Sequence, residues 1–228
     1  MLTPLETEAL RLSLWVAFWS VLGSLPLGLF VAWLLARREF YGKTLLNGIV
    51  HLPLVLPPVV VGYLLLVLFN RSGPLGLLLE KTFGVSIAFS WEGAAVAAAV
   101  MAFPLMVRTM RLSLEAVDQK LEAAARTLGA SRIDVFVSVT LPLMSPGILV
   151  GVILAFARSL GEFGATITFV SNIPGETRTL PLALYSLAQT PDGEAGAMRL
   201  AALSILLAFA ALGASEVLAR RLRRRIEG

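Results

Sequence analysis

The sequence contains no cysteine and a single histidine, His51, in 228 residues. Disulfides, thiol chemistry and Cys-ligated metals are therefore excluded, and a His-rich metal site has no ligands to draw on. Charge is scarce as well, with Asp, Glu, Lys and Arg making up 15% of the chain. The remainder is largely apolar. The hydrophobic set is 57% and mean hydropathy is +0.82. Adding the 19 glycines brings the apolar share to about 65%, against ~45–50% in soluble domains. A water-soluble domain of this length cannot hide that much apolar surface, which argues against a soluble enzyme or DNA-binding protein. The pI is near 10.0, but the basic residues sit beside apolar stretches, the pattern of a membrane protein. Length permits one domain.

A spanning helix needs about 20 apolar residues, and the charge-free gaps locate five candidates. Between Arg11 and Arg37 lie 25 residues without Asp, Glu, Lys or Arg, a first span at about 12–35. Between Lys43 and Arg71 lie 27 more, a second span at about 48–69. The Ala-rich stretch after Trp91 gives a third, shorter span. Pro142 and Pro146 suggest that the fourth begins near 146 and runs to about 169, with Arg158 and Glu162 inside it. The fifth covers about 200–218. The outer segments 71–90 and 171–197 are partly apolar, and Leu180–Ala188 is too short to cross, which predicts a short interfacial or re-entrant helix. Leu-Pro-Leu occurs four times, from Leu25, Leu52, Leu141 and Leu180, and the last three are each read as a proline in a helical first turn.

Orientation follows from Lys and Arg. With the N-terminus outside, thirteen basic residues fall on inner segments, among them Arg37, Arg38, Lys43, Arg108, Arg111, Lys120, Arg126 and Arg132, with the Arg220–Arg225 tail. Five remain outside: Arg11, Arg71, Lys81, Arg178 and Arg199. This bias puts the C-terminus in the cytoplasm. The first span does not read as a cleaved signal peptide, because Glu6 and Glu8 precede it and its apolar run is too long.

The connection 108–142 is long for neighbouring helices. Within it Val117, Leu121, Ala124 and Leu128 recur at helical spacing, with Asp118, Lys120, Glu122 and Arg126 on the other side. Gly129 suits a C-terminal cap, and Ser131-Arg132-Ile133-Asp134 reads as a capping box opening a new helix. The spacing predicts a short amphipathic helix with a small apolar ridge, which either lies on the membrane surface or docks into another protein.

The run from Glu122 through Gly129 to Ala130, followed by Leu141-Pro142, resembles the cytoplasmic "EAA" loop of ABC importer permeases. The family's usual Glu stands six residues before the Gly, where this chain has Ala123; Glu122 is displaced by one. The segments His51–Tyr63, Leu160–Thr166 and Asn172–Tyr185 are similar to molybdate and tungstate importer permeases, with sulfate permeases less similar around Asn172–Tyr185. The resemblance implies an all-α type I permease fold forming one transmembrane domain over 1–228, with Leu121, Glu122, Ala123, Ala124, Leu128, Gly129 and Ala130 in the ATPase-coupling loop. It also implies a homodimer in the cytoplasmic membrane, two separate ATPase subunits and an external oxyanion-binding protein, with no enzymatic activity or cofactor in this chain.

Moving a dianion towards a negative interior costs about 4.6 kcal/mol at 100 mV, so uptake needs an energy source. None is encoded here. Gly42-Lys43-Thr44 imitates the end of a phosphate-binding loop, but the required earlier Gly falls on Arg37. A secondary transporter would need a carboxylate network within the spans, where only Glu162 lies deep, with Glu92 and Glu216 near ends. An intramembrane enzyme would need a nucleophile with a base, or a metal set, which the sequence does not supply.

Arg158 and Glu162 are four residues apart and share a helical face. Two readings stand. Either they neutralise one another and tether helices, or the face lines the path, with Arg158 offsetting the anion's charge. Phe163 and Thr166 join the candidate path or gate, and Phe169 is a second candidate gate residue. Gly147, Gly151, Ala155 and Ser159 form a small-residue stripe that permits close helix contact, within a subunit or across a dimer. His51 reads as an inner-surface helix-end residue, and the Arg220–Arg225 cluster as a topology anchor at anionic lipid heads. The thirteen-to-five basic bias is tested by reporter fusions or single-Cys labelling. Residues 1–8 are expected outside and the tail inside; an external tail overturns the five-span arrangement.

Overall fold

The structure, a computed structural model, describes residues 3–227, and of Ala219 and 222–227 the backbone alone. The Arg223–Arg225 side chains of the basic tail thus lie outside the described residues. The helices are α1 (Pro4–Arg37), α2 (Lys43–Val55), α3 (Pro58–Phe69), α4 (Pro74–Phe83), α5 (Trp91–Glu115) and α6 (Gln119–Thr127). There follow α7 (Arg132–Val135), α8 (Leu141–Leu160), α9 (Gly164–Val170), α10 (Leu180–Ala188) and α11 (Glu194–Glu227). Among the described residues, Pro4–Arg37, Trp91–Glu115, Arg132–Leu160 and Glu194–Leu218 are long and apolar enough to cross a membrane. Lys43–Val55 and Pro58–Phe69 make a fifth only if counted as one broken span.

That second span differs from the straight helix expected over 48–69. Its halves meet at 115°. Pro57 and Pro58 bring no N–H and force the residues before them into extended backbone, so α2 stops at Leu56 (ψ 144°) and α3 restarts after Pro57 (ψ 133°). The first span starts earlier than expected, at Pro4, where Thr3 and Glu6 form a reciprocal capping box. The third is longer, running on to Glu115.

The fourth span corrects the expected start near 146. The helix opens at Arg132 on the Ser131–Asp134 capping box and runs through both prolines. Residues Phe136–Thr140 wind as a π-turn, widening the helix just where the ring of Pro142 would crowd the carbonyl four residues back. Pro146 leaves the Pro142 carbonyl without its helical donor, and the Ser145 hydroxyl donates to it at 2.8 Å. The span then breaks at Gly161–Phe163 rather than continuing to 169. Of the three prolines so read, Pro181 starts α10 as expected and Pro142 lies in the first turn of α8, but Pro53 lies inside α2.

The core is built around α5, with Ala94, Ala97, Ala98, Met101, Met106, Met110 and Leu114 all buried. The stripe Gly147, Gly151, Ala155 and Ser159 packs within the subunit. A Cβ at Gly147 would meet the Ser113 Cβ at 2.1 Å, one at Gly151 the Met106 carbonyl at 3.3 Å, and Ser20 donates to the Ser159 hydroxyl at 3.0 Å. The broken spans lean on one another in the same way. A Cβ at Gly62 in α3 would lie 2.5 Å from the Ala165 carbonyl oxygen, and one at Gly164 would lie 2.7 Å from the Pro58 Cβ.

Gly62→Ala therefore forces α3 and α9 apart, at a cost of about 1–3 kcal/mol. Gly23→Ala has nothing within 4 Å and serves as the comparison. Thermal midpoints in detergent should fall for the first and hold or rise for the second; equal midpoints would sink the close-packing assignment.

Candidate functional site

Two places concentrate polar chemistry: the short helix α6 and the break between α8 and α9. The Asp118 carboxylate caps α6, accepting from Lys120 N at 2.9 Å. Its other end closes in a Schellman motif, with Gly129 at φ +89°. There the Gly129 N–H reaches the Arg126 carbonyl at 3.0 Å and Ala130 N–H the Ala125 carbonyl at 3.2 Å. These caps set the expected amphipathic helix between two sharp turns.

One side of α6 is fastened to the membrane helices. Glu122 Oε1 accepts from Arg37 Nη2 at 2.9 Å and from the Thr140 hydroxyl at 2.9 Å, joining the end of α1 to the π-turn before α8. Arg37 also reaches the Val117 carbonyl at 3.4 Å. Val117, expected on the exposed ridge, is instead buried in the core, because it precedes the cap and points down against α1 and α5. The opposite side is open. Leu121 is 50% and Leu128 88% exposed, Ala123 and Ala124 are exposed beside them, and Ala130 is half-buried. Ile133 and Val137 extend the apolar surface into the next helix. Of the seven residues expected in the coupling loop, Glu122 alone ties inward through its side chain.

At the break, Arg158 Nη1 pairs with Glu162 Oε2 at 2.7 Å. The other carboxylate oxygen accepts from Ala165 N at 2.9 Å, capping α9. The Glu162 side chain is 2% exposed and fully engaged, whereas Arg158 keeps 32% exposure. Phe163 packs on Tyr185 with ring centroids 5.1 Å apart. Both line an apolar cleft of about 450 Å³ with Leu184 and Ser204. Thr166 is buried, and Phe169 is fully buried against Phe69 with centroids 6.0 Å apart, so Phe169 is a packing residue here and not a gate. His51 lies in the last turns of α2, its Nδ1 2.8 Å from the Asn47 carbonyl.

Several fastenings escaped the sequence reading. Glu6, buried in the first turn of α1, pairs with Arg199 of α11 at 2.7 Å. Ser13 accepts from Leu180 N at 2.6 Å. Asn172 bridges Arg178 (3.0 Å) and Ser186 (2.7 Å), stiffening the loop before α10. Polar residues at helix ends signal such ties, but the partners lie far along the chain.

Comparisons with known proteins agree with this architecture. Residues 24–224 match the family described as "Binding-protein-dependent transport system inner membrane component". The chain is 64% identical over 225 residues to the "Molybdenum transport system permease protein ModB" of Escherichia coli K12, covering 99% of this chain and 98% of that one. The Haemophilus influenzae protein of the same name is 59% identical over 222 residues, 97% of each chain. The "Sulfate transport system permease protein CysT" of Salmonella typhimurium is 39% identical, covering 90% of this chain and 75% of that one. Among solved structures, a bacterial ABC transporter importing alginate superposes with TM-score 0.71 at 18% identity, covering 97% of this chain and 80% of that one. The MetNI methionine transporter gives 0.67 at 17% identity, covering 95% and 94%. Several apolar helices, a shared importer fold and a family match over most of the chain lead to one statement: this multi-pass membrane protein belongs to the family of binding-protein-dependent transport system inner membrane components.

Proposed function

We propose that this chain is the membrane-spanning subunit of an ATP-driven importer that carries molybdate or tungstate into the cell. The observation that carries this reading is the 64% identity over nearly the whole chain to a molybdenum transport permease, set against 39% to a sulfate permease. Sulfate import is the second reading. The chain acts as one domain over 1–228, and ATP hydrolysis belongs to a separate subunit. The N-terminus lies outside and the arginine-rich tail in the cytoplasm, where α6 also lies.

The apolar face of α6 docks into a groove of the ATPase through Leu121, Ala123, Ala124 and Leu128, with Gly129 and Ala130 shaping the turn. Glu122 sets the helix in place by holding Arg37 and Thr140. A helix with a bare apolar face and a fastened polar face suits a joint that carries motion between subunits. The exposed apolar surface on α1 and α11, including Trp15, Phe18, Ile205, Leu206 and Phe209, supports burial against a second copy and lipid. An external oxyanion-binding protein delivers the substrate. Near the break, Arg158 offsets the dianion's charge on a path bordered by Phe163 and Thr166. Glu162 orients the guanidinium while its second oxygen caps α9.

Two experiments test these roles. Liposomes holding the assembled transporter with its ATPase should take up molybdate on adding ATP and binding protein, with tungstate competing well and sulfate poorly. In the same assay Gly129→Asp should abolish uptake and partner-stimulated hydrolysis with the permease still in the membrane, because an L-residue at φ +89° strains the turn and adds charge. Normal uptake by a well-expressed variant would overturn the docking assignment. Arg158→Gln/Glu162→Gln separates path from tether. A stable double variant that imports poorly supports the path role, whereas near-normal uptake leaves the pair as a tether only.

A further inference from the structure

A cleft of about 630 Å³ opens beside the end of α1, away from the Arg158 break. Arg37, Arg38, Arg126 and Arg132 line it against one carboxylate, that of Glu122. Four guanidiniums facing one acid leave a strong positive excess in a space of ligand size. Arg37 spends one nitrogen on Glu122, and its buried Nε finds no hydrogen-bond partner among the described residues. Arg38, Arg126 and Arg132 are exposed.

The walls divide by chemistry. The guanidiniums gather where α1 and α6 end and α7 begins. Phe30, 56% exposed, and Trp33 continue the lining up α1 into its apolar length. The Arg38 Cζ sits 5.2 Å from the Trp33 ring centroid, holding the charge over an interfacial aromatic. A free oxyanion has no use for that apolar wall. An anionic phospholipid needs both halves, a phosphodiester among arginines and acyl chains along an aromatic face.

We infer that this cleft is a binding site for the head of an anionic phospholipid, one per chain, wedged between the end of α1 and the α6–α7 turn. The site requires only that the end of α1 reach a membrane surface, so it stands whichever way the chain is oriented and whatever the transported anion. Its occupant touches both α1 and α6, and bound lipid steadies the coupling helix from the membrane side.

The test is native mass spectrometry of the intact permease–ATPase complex in detergent, titrated with phosphatidylglycerol or with phosphatidylcholine of the same chains. Phosphatidylglycerol should be retained preferentially. Arg38→Gln/Arg132→Gln removes two exposed guanidiniums and should weaken retention about thirtyfold. Arg71→Gln/Lys81→Gln removes two exposed charges elsewhere and should change nothing. Phe30→Ser leaves every guanidinium in place and should also weaken retention. Equal retention of the two lipids, or equal loss in the two charge variants, would overturn the site. So would full retention in Phe30→Ser, or displacement of the lipid by inorganic phosphate or molybdate, which would mark a free-anion site.

Discussion

Inside a bilayer an unpaired peptide group has no water to turn to, so an interrupted helix persists only where protein covers the break. This chain has two such breaks, at Leu56–Pro58 and at Gly161–Phe163, and each covers the other. Gly62 and Gly164 let α3 and α9 approach until backbone meets side chain without an intervening Cβ. The Glu162 carboxylate supplies the partner that the opening N–H groups of α9 lack. The geometry around the second break follows from this contact. Arg158 is aimed by the residue that caps α9, and Phe163 reaches Tyr185 because the chain turns there.

The short helix α6 solves a different problem. A nine-residue helix is marginal by itself, yet it holds a fixed apolar face outward. Its caps close both ends, and the Arg37–Glu122–Thr140 cluster fixes its inner face to two spans at once. A half-buried ion pair adds little net stability against its desolvation cost. Its contribution is direction: only one rotation of α6 lets Glu122 reach both partners, and that rotation turns Leu121 and Leu128 outward.

Much of this was legible in the residues. Charge-free gaps marked the spans, helical spacing with Gly129 marked α6, and the resemblance marked the family. Prolines were harder to read. Pro57-Pro58 did break a helix, and the resulting bend passed for a straight span because composition does not register direction. Pro142 and Pro146 look like a helix start, but a π-turn and one serine hydroxyl absorb them, a local solution invisible to periodicity. Glu122, one position away from the family's usual acid, made sense only once Arg37 and Thr140 were seen around it. The ties from Glu6 to Arg199 and from Ser13 to Leu180 span most of the chain, a distance that no local pattern reports.

Those long ties carry a consequence for biogenesis. Three buried polar residues of α1 have partners made much later in the chain: Ser20 meets Ser159, Ser13 the backbone of Leu180, and Glu6 Arg199. Until then α1 sits in the insertion machinery or the lipid with Ser20 bonded only to the Ala17 carbonyl, Ser13 without the Leu180 N–H and the Glu6 acid unpaired by Arg199. Closing the bundle is thus a late step, made when α1 meets α10 and α11, and a nascent chain stopped short of Leu180 presents to quality control a helix whose Ser13 and Glu6 still lack those partners.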